Sequence, residues 1–239
     1  MSGKPGGHWE DVAPDWIDWA RAPGLDSFWA YRDALRAFLP GPGRATLDLG
    51  CGEGRVAREL TALGHTVTAA DYSPSLLAAA RQAGSARDYV VADAGALPFG
   101  AGAFDRVVAY NMLMDVPDMP RAVAEARRVL APDGILTVSL VHPFADRGRF
   151  TSDAPDAPFS VAGSYFGRQH FSNRVAEGGH HMTFDGWSYP LQDYMAAFEA
   201  AGLAMTGLRE PVPDVDGFPA TAPWARIPLF AWINLRPLV

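Results

Sequence analysis

Ala45-Thr46-Leu47-Asp48-Leu49-Gly50-Cys51-Gly52-Glu53-Gly54 decides how this chain reads. Ala45 to Leu49 is a short apolar run of strand length. Glycines at 50, 52 and 54 then let the backbone bend sharply and let a ligand approach with no Cβ in the way. From Arg55 to Leu63, Val56, Leu60 and Leu63 fall on one helical face, and Gly64 suits the helix C-cap. Strand, glycine turn and helix in that order predict the first βα unit of a layered α/β sheet.

The same rhythm continues downstream. Thr66 to Ala70 reads as a second strand, Ser73-Pro74 as an N-cap and first turn, and Leu76 to Gln82 as a helix. Tyr89 to Val91 and Phe104 to Ala109 read as strands, separated by a turn at Leu97-Pro98-Phe99-Gly100. Pro120 to Leu130 is a helix whose Arg121 and Glu125 mark a solvated face, and Pro132-Asp133-Gly134 turns the chain into a strand at Ile135 to Val141. Such alternation predicts a parallel sheet covered on both faces, with ligands beyond the carboxyl ends of the strands. Residues 143–190 interrupt it with Gly, Pro, Ser and aromatic residues that follow no period, as a lid or substrate insertion would. Leu191 to Ala201 is then helical, and Leu203 to Arg209 and Pro228 to Leu235 are closing strands. Upstream, Asp26 to Leu39 is a helix stopped by Pro40-Gly41-Pro42-Gly43.

Length and composition narrow the partners. The chain has 239 residues, 49% of them hydrophobic, which suits one large α/β domain with a full core. Its net charge of -7 comes with scattered basic residues, so a nucleic-acid partner is not expected. Met1 to Trp9 has no apolar leader pattern, and no stretch approaches the length of a membrane span. The single cysteine, Cys51, agrees with a reducing compartment. The expectation is a cytoplasmic protein bound neither to membrane nor to nucleic acid.

Asp48 sharpens the ligand. In a dinucleotide-binding loop this position is usually apolar, because a carboxylate beside a pyrophosphate is repelled; near a cation it is favourable. S-adenosylmethionine carries a sulfonium and an ammonium, so Asp48 argues for it and against NAD. Asp71, 19 residues after Gly52, stands where an acidic residue accepts hydrogen bonds from ribose hydroxyls. Asp93, at the end of the third strand, suits the adenine amine.

With these residues the sequence resembles the class I S-adenosylmethionine-dependent methyltransferases, in the branch of small-molecule and quinone-type enzymes. The carriers are Leu47 to Gly54, Ala70-Asp71-Tyr72-Ser73, Ala92-Asp93-Ala94, Leu97-Pro98-Phe99, Phe104-Asp105 and Arg128-Val129-Leu130 with Asp133-Gly134. The resemblance is good over 44–142 and loose in the flanks. It implies a doubly wound, Rossmann-like α/β sheet of seven mostly parallel strands, with an N-terminal helical cap over 1–43 and an inserted lid after the fifth strand. Residues 44–142 would be the cofactor core, 143–190 the lid, and 191–239 the rest of the sheet, in one domain. Asp48 and Gly50 would face the methionine part, with Cys51 and Gly52 in the same loop. Asp71 and Tyr72 would serve the ribose, Asp93 and Ala94 the adenine, and Asn111 and Met112 would lie near the methionine or the adenine plane. Arg21 or Tyr31, in the leading segment, would contact the cofactor carboxylate.

The acceptor is less legible. Cys51 reads as a small residue beside the cofactor rather than a nucleophile, which excludes cytosine-C5 chemistry. Tyr110-Asn111-Met112-Leu113 lacks the prolines of the enzymes that methylate base amines. His142, after the fifth strand, is the candidate general base, with Tyr165, His170, His180 and His181 weaker candidates, and no residues sit at metal-ligand spacing. Trp187, Phe166, Tyr165 and Phe159 are expected to close over the acceptor. Most of Trp9, Trp16, Trp19, Phe28, Trp29 and Tyr31 read as core packing. The expected reaction is methyl transfer to an O, N or C atom of a small molecule. The alternatives are a non-methylating enzyme that uses the bound cofactor for cyclisation or rearrangement and, less favoured, an NAD-dependent oxidoreductase.

Overall fold

A computed structural model describes residues 7–152 and 154–238; the remainder of the expected N-terminal cap and residue 153 of the expected lid lie outside the described residues. Two short helices open the chain, α1 at Gly7–Asp11 and α2 at Ala13–Arg21, followed by α3 at Phe28–Phe38. The glycine turn joins β1, Thr46–Leu49, to α4, Arg55–Ala62. Then come β2 (Val67–Asp71), α5 (Pro74–Gln82), β3 (Asp88–Val91), β4 (Phe104–Tyr110), α6 (Met119–Val129) and β5 (Leu130–Val141). Ser73 caps α5 as expected, its Oγ accepting from the Leu76 amide at 3.1 Å, a contact of the kind worth ~1 kcal/mol.

After β5 the chain forms two hairpins, β6 (Gly148–Phe150) with β7 (Phe159–Val161) and β8 (Gln169–Glu177) with β9 (His180–Ser188). It returns through α7 (Leu191–Ala200), β10 (Leu203–Arg209) and β11 (Phe230–Pro237). The seven strands of the main sheet run β10-β11-β5-β4-β1-β2-β3, with β11 antiparallel to both of its neighbours and β1 to β5 parallel. The order reverses at β1, which lies between β2 and β4, so the crevice opens beyond the carboxyl ends of these strands. One core packs α6 and α7 on one face; the other packs α3, α4 and α5 on the opposite face.

Three local expectations need correction. Pro132-Asp133-Gly134 does not delay β5: the strand starts at Leu130, and the extra residues are absorbed as a shift of register against β4 between Phe104 and Arg106. Glu125 is not simply solvated beside Arg121. It pairs with Arg128 at 2.6 Å and accepts from the Leu97 amide at 2.8 Å, pinning the turn after β3, while Arg121 reaches the Gly95 carbonyl. The segment 143–190 is not all unpatterned loop: it holds the two hairpins. Its β8 is exposed along nearly its whole length, so it lacks the alternation that marks a half-buried strand.

Candidate active site

The carboxyl ends of β1 to β5 open into a cavity of about 490 Å3. At its base Gly50 and Gly52 have φ of +70° and +55°, left-handed values that side chains disfavour. A Cβ on Gly50 would stand 2.7 Å from Met112 Cβ, so the glycine here is demanded by contact as well as by dihedral. Glu53 locks the loop from behind, fully enclosed and paired with Arg21 at 2.8 Å and Arg58 at 2.7 Å.

Asp48, Asp71 and Asp93 all line the cavity, as do Gly50, Cys51, Gly52, Tyr72, Ala94, Asn111 and Met112. Asp48 is 1% exposed, and its Oδ2 has no hydrogen-bond partner. Burial, with the nearby Asp71 charge, pushes its carboxyl up to about 7. A buried carboxylate in this state is stabilised by a cation. Asp71 accepts from the Gly52 amide at 2.7 Å and from the Ser73 amide at 2.9 Å, tying β2 to the glycine loop. Each of its oxygens retains acceptor capacity. The Gly95 amide donates to Asp93 Oδ1 at 2.8 Å. Asn111 has φ +48° and accepts from Ser139 Oγ at 2.7 Å, which fixes its side chain at the end of β4. Burial and the surrounding carboxylates raise the Cys51 thiol well above its ordinary range, so it stays protonated.

Three expected site residues lie elsewhere. The Arg21 guanidinium is held by Glu53 and the Ala79 carbonyl. Tyr31 is 1% exposed and packs edge-on against Phe230 in the core, with ring centroids 4.9 Å apart. His142 sits beside Glu210, with Nε2 3.1 Å from Oε1. None of the three lines the cavity. The weaker candidates are also outside it: Tyr165 accepts from the Leu191 amide, His170 pairs with Asp185, and His180 and His181 begin β9 at the hairpin turn. Phe159, Phe166 and Trp187, expected over the acceptor, do not line the cavity either.

What covers the cavity instead is Trp9, Trp16 and Trp19 from α1 and α2, with Phe171, Asn173, Val175 and Phe184 from the β8–β9 hairpin. Phe184 meets Trp16 and Trp19 edge-on at 6.2 and 6.0 Å, and His8 Nε2 lies 2.8 Å from the Thr183 carbonyl. These contacts join the N-terminal helices to the hairpin. Arg55 closes one wall: its guanidinium is 4.9 Å from the Trp16 ring centroid and 4.8 Å from that of Phe28, and Nη1 is 2.7 Å from Asp26 Oδ1. Asp115 and Asp146, after β4 and β5, also face the cavity. Sequence reading missed both carboxylates. Their position just beyond a strand end, the signal that singled out Asp71 and Asp93, was available for each.

Among the described residues no group of three or more His, Cys, Asp or Glu is placed to hold a metal ion, and no helix is long and apolar enough to cross a membrane.

Residues 47–138 match the family model described as "Methyltransferase domain". Among individual proteins, the demethylmenaquinone methyltransferase of Thermus thermophilus is 38% identical over 148 residues, 59% of this chain and 66% of that protein. The malonyl-[acyl-carrier protein] O-methyltransferase of Serratia marcescens is 36% identical over 98 residues, 41% of this chain and 38% of that one. The chain therefore spans under two thirds of the length of these relatives. An S-adenosylmethionine-dependent methyltransferase from Mesorhizobium loti shares the fold with a TM-score of 0.69 at 24% identity, over 88% of this chain and 98% of its own.

Proposed function

We propose that the protein transfers a methyl group from S-adenosylmethionine to a small molecule. The buried Asp48, whose Oδ2 has no partner, beside a left-handed glycine loop carries this reading. It is a preformed site for a cation at the place where NAD would put a pyrophosphate. The cavity residues suit the cofactor in order along the sheet: Asp48 and Gly50 for the methionine part, Asp71 for the ribose hydroxyls, and Asp93 with Ala94 for the adenine. Cys51, Gly52, Tyr72, Asn111 and Met112 line the same groove. When bound, the cofactor supplies a methyl group already activated by its sulfonium. The chain's own contribution is then to orient the acceptor and exclude water, and the aromatic cover of Trp16, Trp19 and Phe184 is built for that.

A net charge of -7 supports a small-molecule acceptor over nucleic acid, and the single buried cysteine agrees with a cytoplasmic setting. The relatives' names, a demethylmenaquinone methyltransferase and a malonyl-[acyl-carrier protein] O-methyltransferase, support methyl transfer without fixing one acceptor atom. The test is to incubate the protein with S-adenosylmethionine and a metabolite extract. The reading requires S-adenosylhomocysteine to accumulate together with a product heavier by one methylene. A transformed acceptor of unchanged mass, with the cofactor intact, would favour rearrangement instead.

A further inference from the structure

The sheet order divides the cavity. Asp71 and Asp93 end β2 and β3 on one side of β1, whereas Asp115 and Asp146 follow β4 and β5 on the other. If the adenosine occupies the first side, the second is left for the acceptor; this step rests on the methyl-transfer reading above.

The charge there is lopsided. Seven acidic side chains line the cavity against one basic side chain, Arg55, and that one is paired with Asp26. Glu53 is paired with Arg21 and Arg58. With Asp48, Asp71 and Asp93 turned to the cofactor, Asp115 and Asp146 remain. One buried polar group near them is also unspent: the Tyr194 hydroxyl belongs to a residue 1% exposed and has no hydrogen-bond partner. Tyr194 lies within electrostatic reach of both carboxylates, and Ser188 borders Asp146. Trp187 clamps the loop that carries Asp115, its amide donating to the Met114 carbonyl at 2.8 Å, so Asp115 is held under the base of the β8–β9 hairpin.

We propose that this end of the cavity is the acceptor subsite and that it takes a protonated amine attached to an apolar or aromatic body. The ammonium would sit between Asp115 and Asp146, and the body against Trp16, Trp19, Phe171 and Phe184, whose ring faces also attract cations. A carboxylate acceptor of the kind the carrier-protein relative's name implies would be repelled here. Asp115 is also placed to take the ammonium proton. One proton moves from nitrogen to a carboxylate oxygen, leaving a neutral amine with its lone pair free and a neutral carboxylic acid.

The titration behaviour agrees. Burial, then Asp146, Asp71 and Asp185, raise the Asp115 carboxyl well above its usual range. Burial brings Asp146 to about 7, against the opposing effects of Arg147 and Ser188. Both shifts disfavour the charged carboxylates in the empty cavity, and an ammonium between them favours their ionisation.

The test measures thermal shifts of the S-adenosylhomocysteine complex with phenethylamine, hydrocinnamate and phenethyl alcohol, which share one aromatic body and differ in charge. Phenethylamine alone should stabilise the complex, increasingly so from about pH 6 to about pH 8 as the carboxylates ionise while the amine stays charged. Asp115→Asn and Asp146→Asn should each weaken its binding at least ~10-fold. Both variants should still bind S-adenosylhomocysteine, which also reports that they fold. The inference is overturned if phenethylamine gives no shift, if hydrocinnamate or the alcohol binds as well, or if both variants retain the amine effect. Those results leave the methyl-transfer reading standing. Absence of S-adenosylhomocysteine binding to the wild type would overturn both.

Discussion

Replacing Asp48 by Asn should strengthen the empty protein and weaken its hold on the cofactor. The carboxyl is raised from 3.8 to about 7, first by burial and then by Asp71. Three pKa units correspond to ~4 kcal/mol, and water entering the cavity lowers the measurable part to ~2–4 kcal/mol. Because the folded-state value lies above the unfolded one, the native protein holds more protons than the unfolded chain between pH 4 and 7. Stability from this group therefore falls as pH rises through that window, and the whole penalty is present above about 7. At about pH 8 Asp48→Asn should raise the melting temperature of the cofactor-free protein by roughly 5–10 °C, and the gain should vanish towards pH 4. S-adenosylmethionine binding should move the other way. In the wild type, affinity falls up to tenfold per pH unit below about 7, since Asp48 must lose a proton to meet a cation. The variant should bind ~10–100-fold more weakly at about pH 8, with most of that pH dependence gone. Scanning calorimetry and titration calorimetry on the same samples read both effects. A variant no more stable than wild type at about pH 8, yet binding as tightly, would refute the account of Asp48.

Other residues give independent expectations. Gly50→Ala combines a left-handed φ with a Cβ 2.7 Å from Met112, so it should cost ~2 kcal/mol or more in denaturant unfolding and abolish tight cofactor binding. Asp26→Asn leaves the Arg55 guanidinium enclosed by Trp16 and Phe28 without its counter-charge, and should destabilise by ~3 kcal/mol. His142→Ala alters a group outside the cavity, so calorimetric affinity for S-adenosylmethionine should stay within about twofold. Trp16→Ala opens the aromatic cover over Gly52 and should weaken cofactor binding ~10-fold while removing tryptophan fluorescence that reports on the site.

The half of the cavity proposed for the cofactor was legible because it is local. A strand, three glycines and a carboxylate at each of three strand ends lie in sequence order, and backbone geometry alone puts them on one edge. Ser73 and Gly64 took up the cap positions that their chemistry predicts. The cover was hidden because it is assembled from parts about 170 residues apart. Nothing near Trp16 marks it as the neighbour of Phe184, and a tryptophan on a helix reads equally well as core. The β8–β9 hairpin had one local signal that went unused: Gly178-Gly179, with φ of +58° and +84°, is a two-residue turn of the kind hairpins favour. His142 illustrates the opposite error. Its place after β5 was read correctly, but the chain turns there so that the ring meets Glu210, and Asp146, four residues on, faces the cavity instead.

The central claim is that Asp48 and the glycine loop form a site for a cationic cofactor. Titration calorimetry of the purified protein with S-adenosylmethionine and, separately, with NAD at about pH 8 tests it most directly. The account predicts one saturable site for S-adenosylmethionine, displaced by S-adenosylhomocysteine, and no competing binding of NAD; saturable binding of NAD with none of S-adenosylmethionine would contradict it.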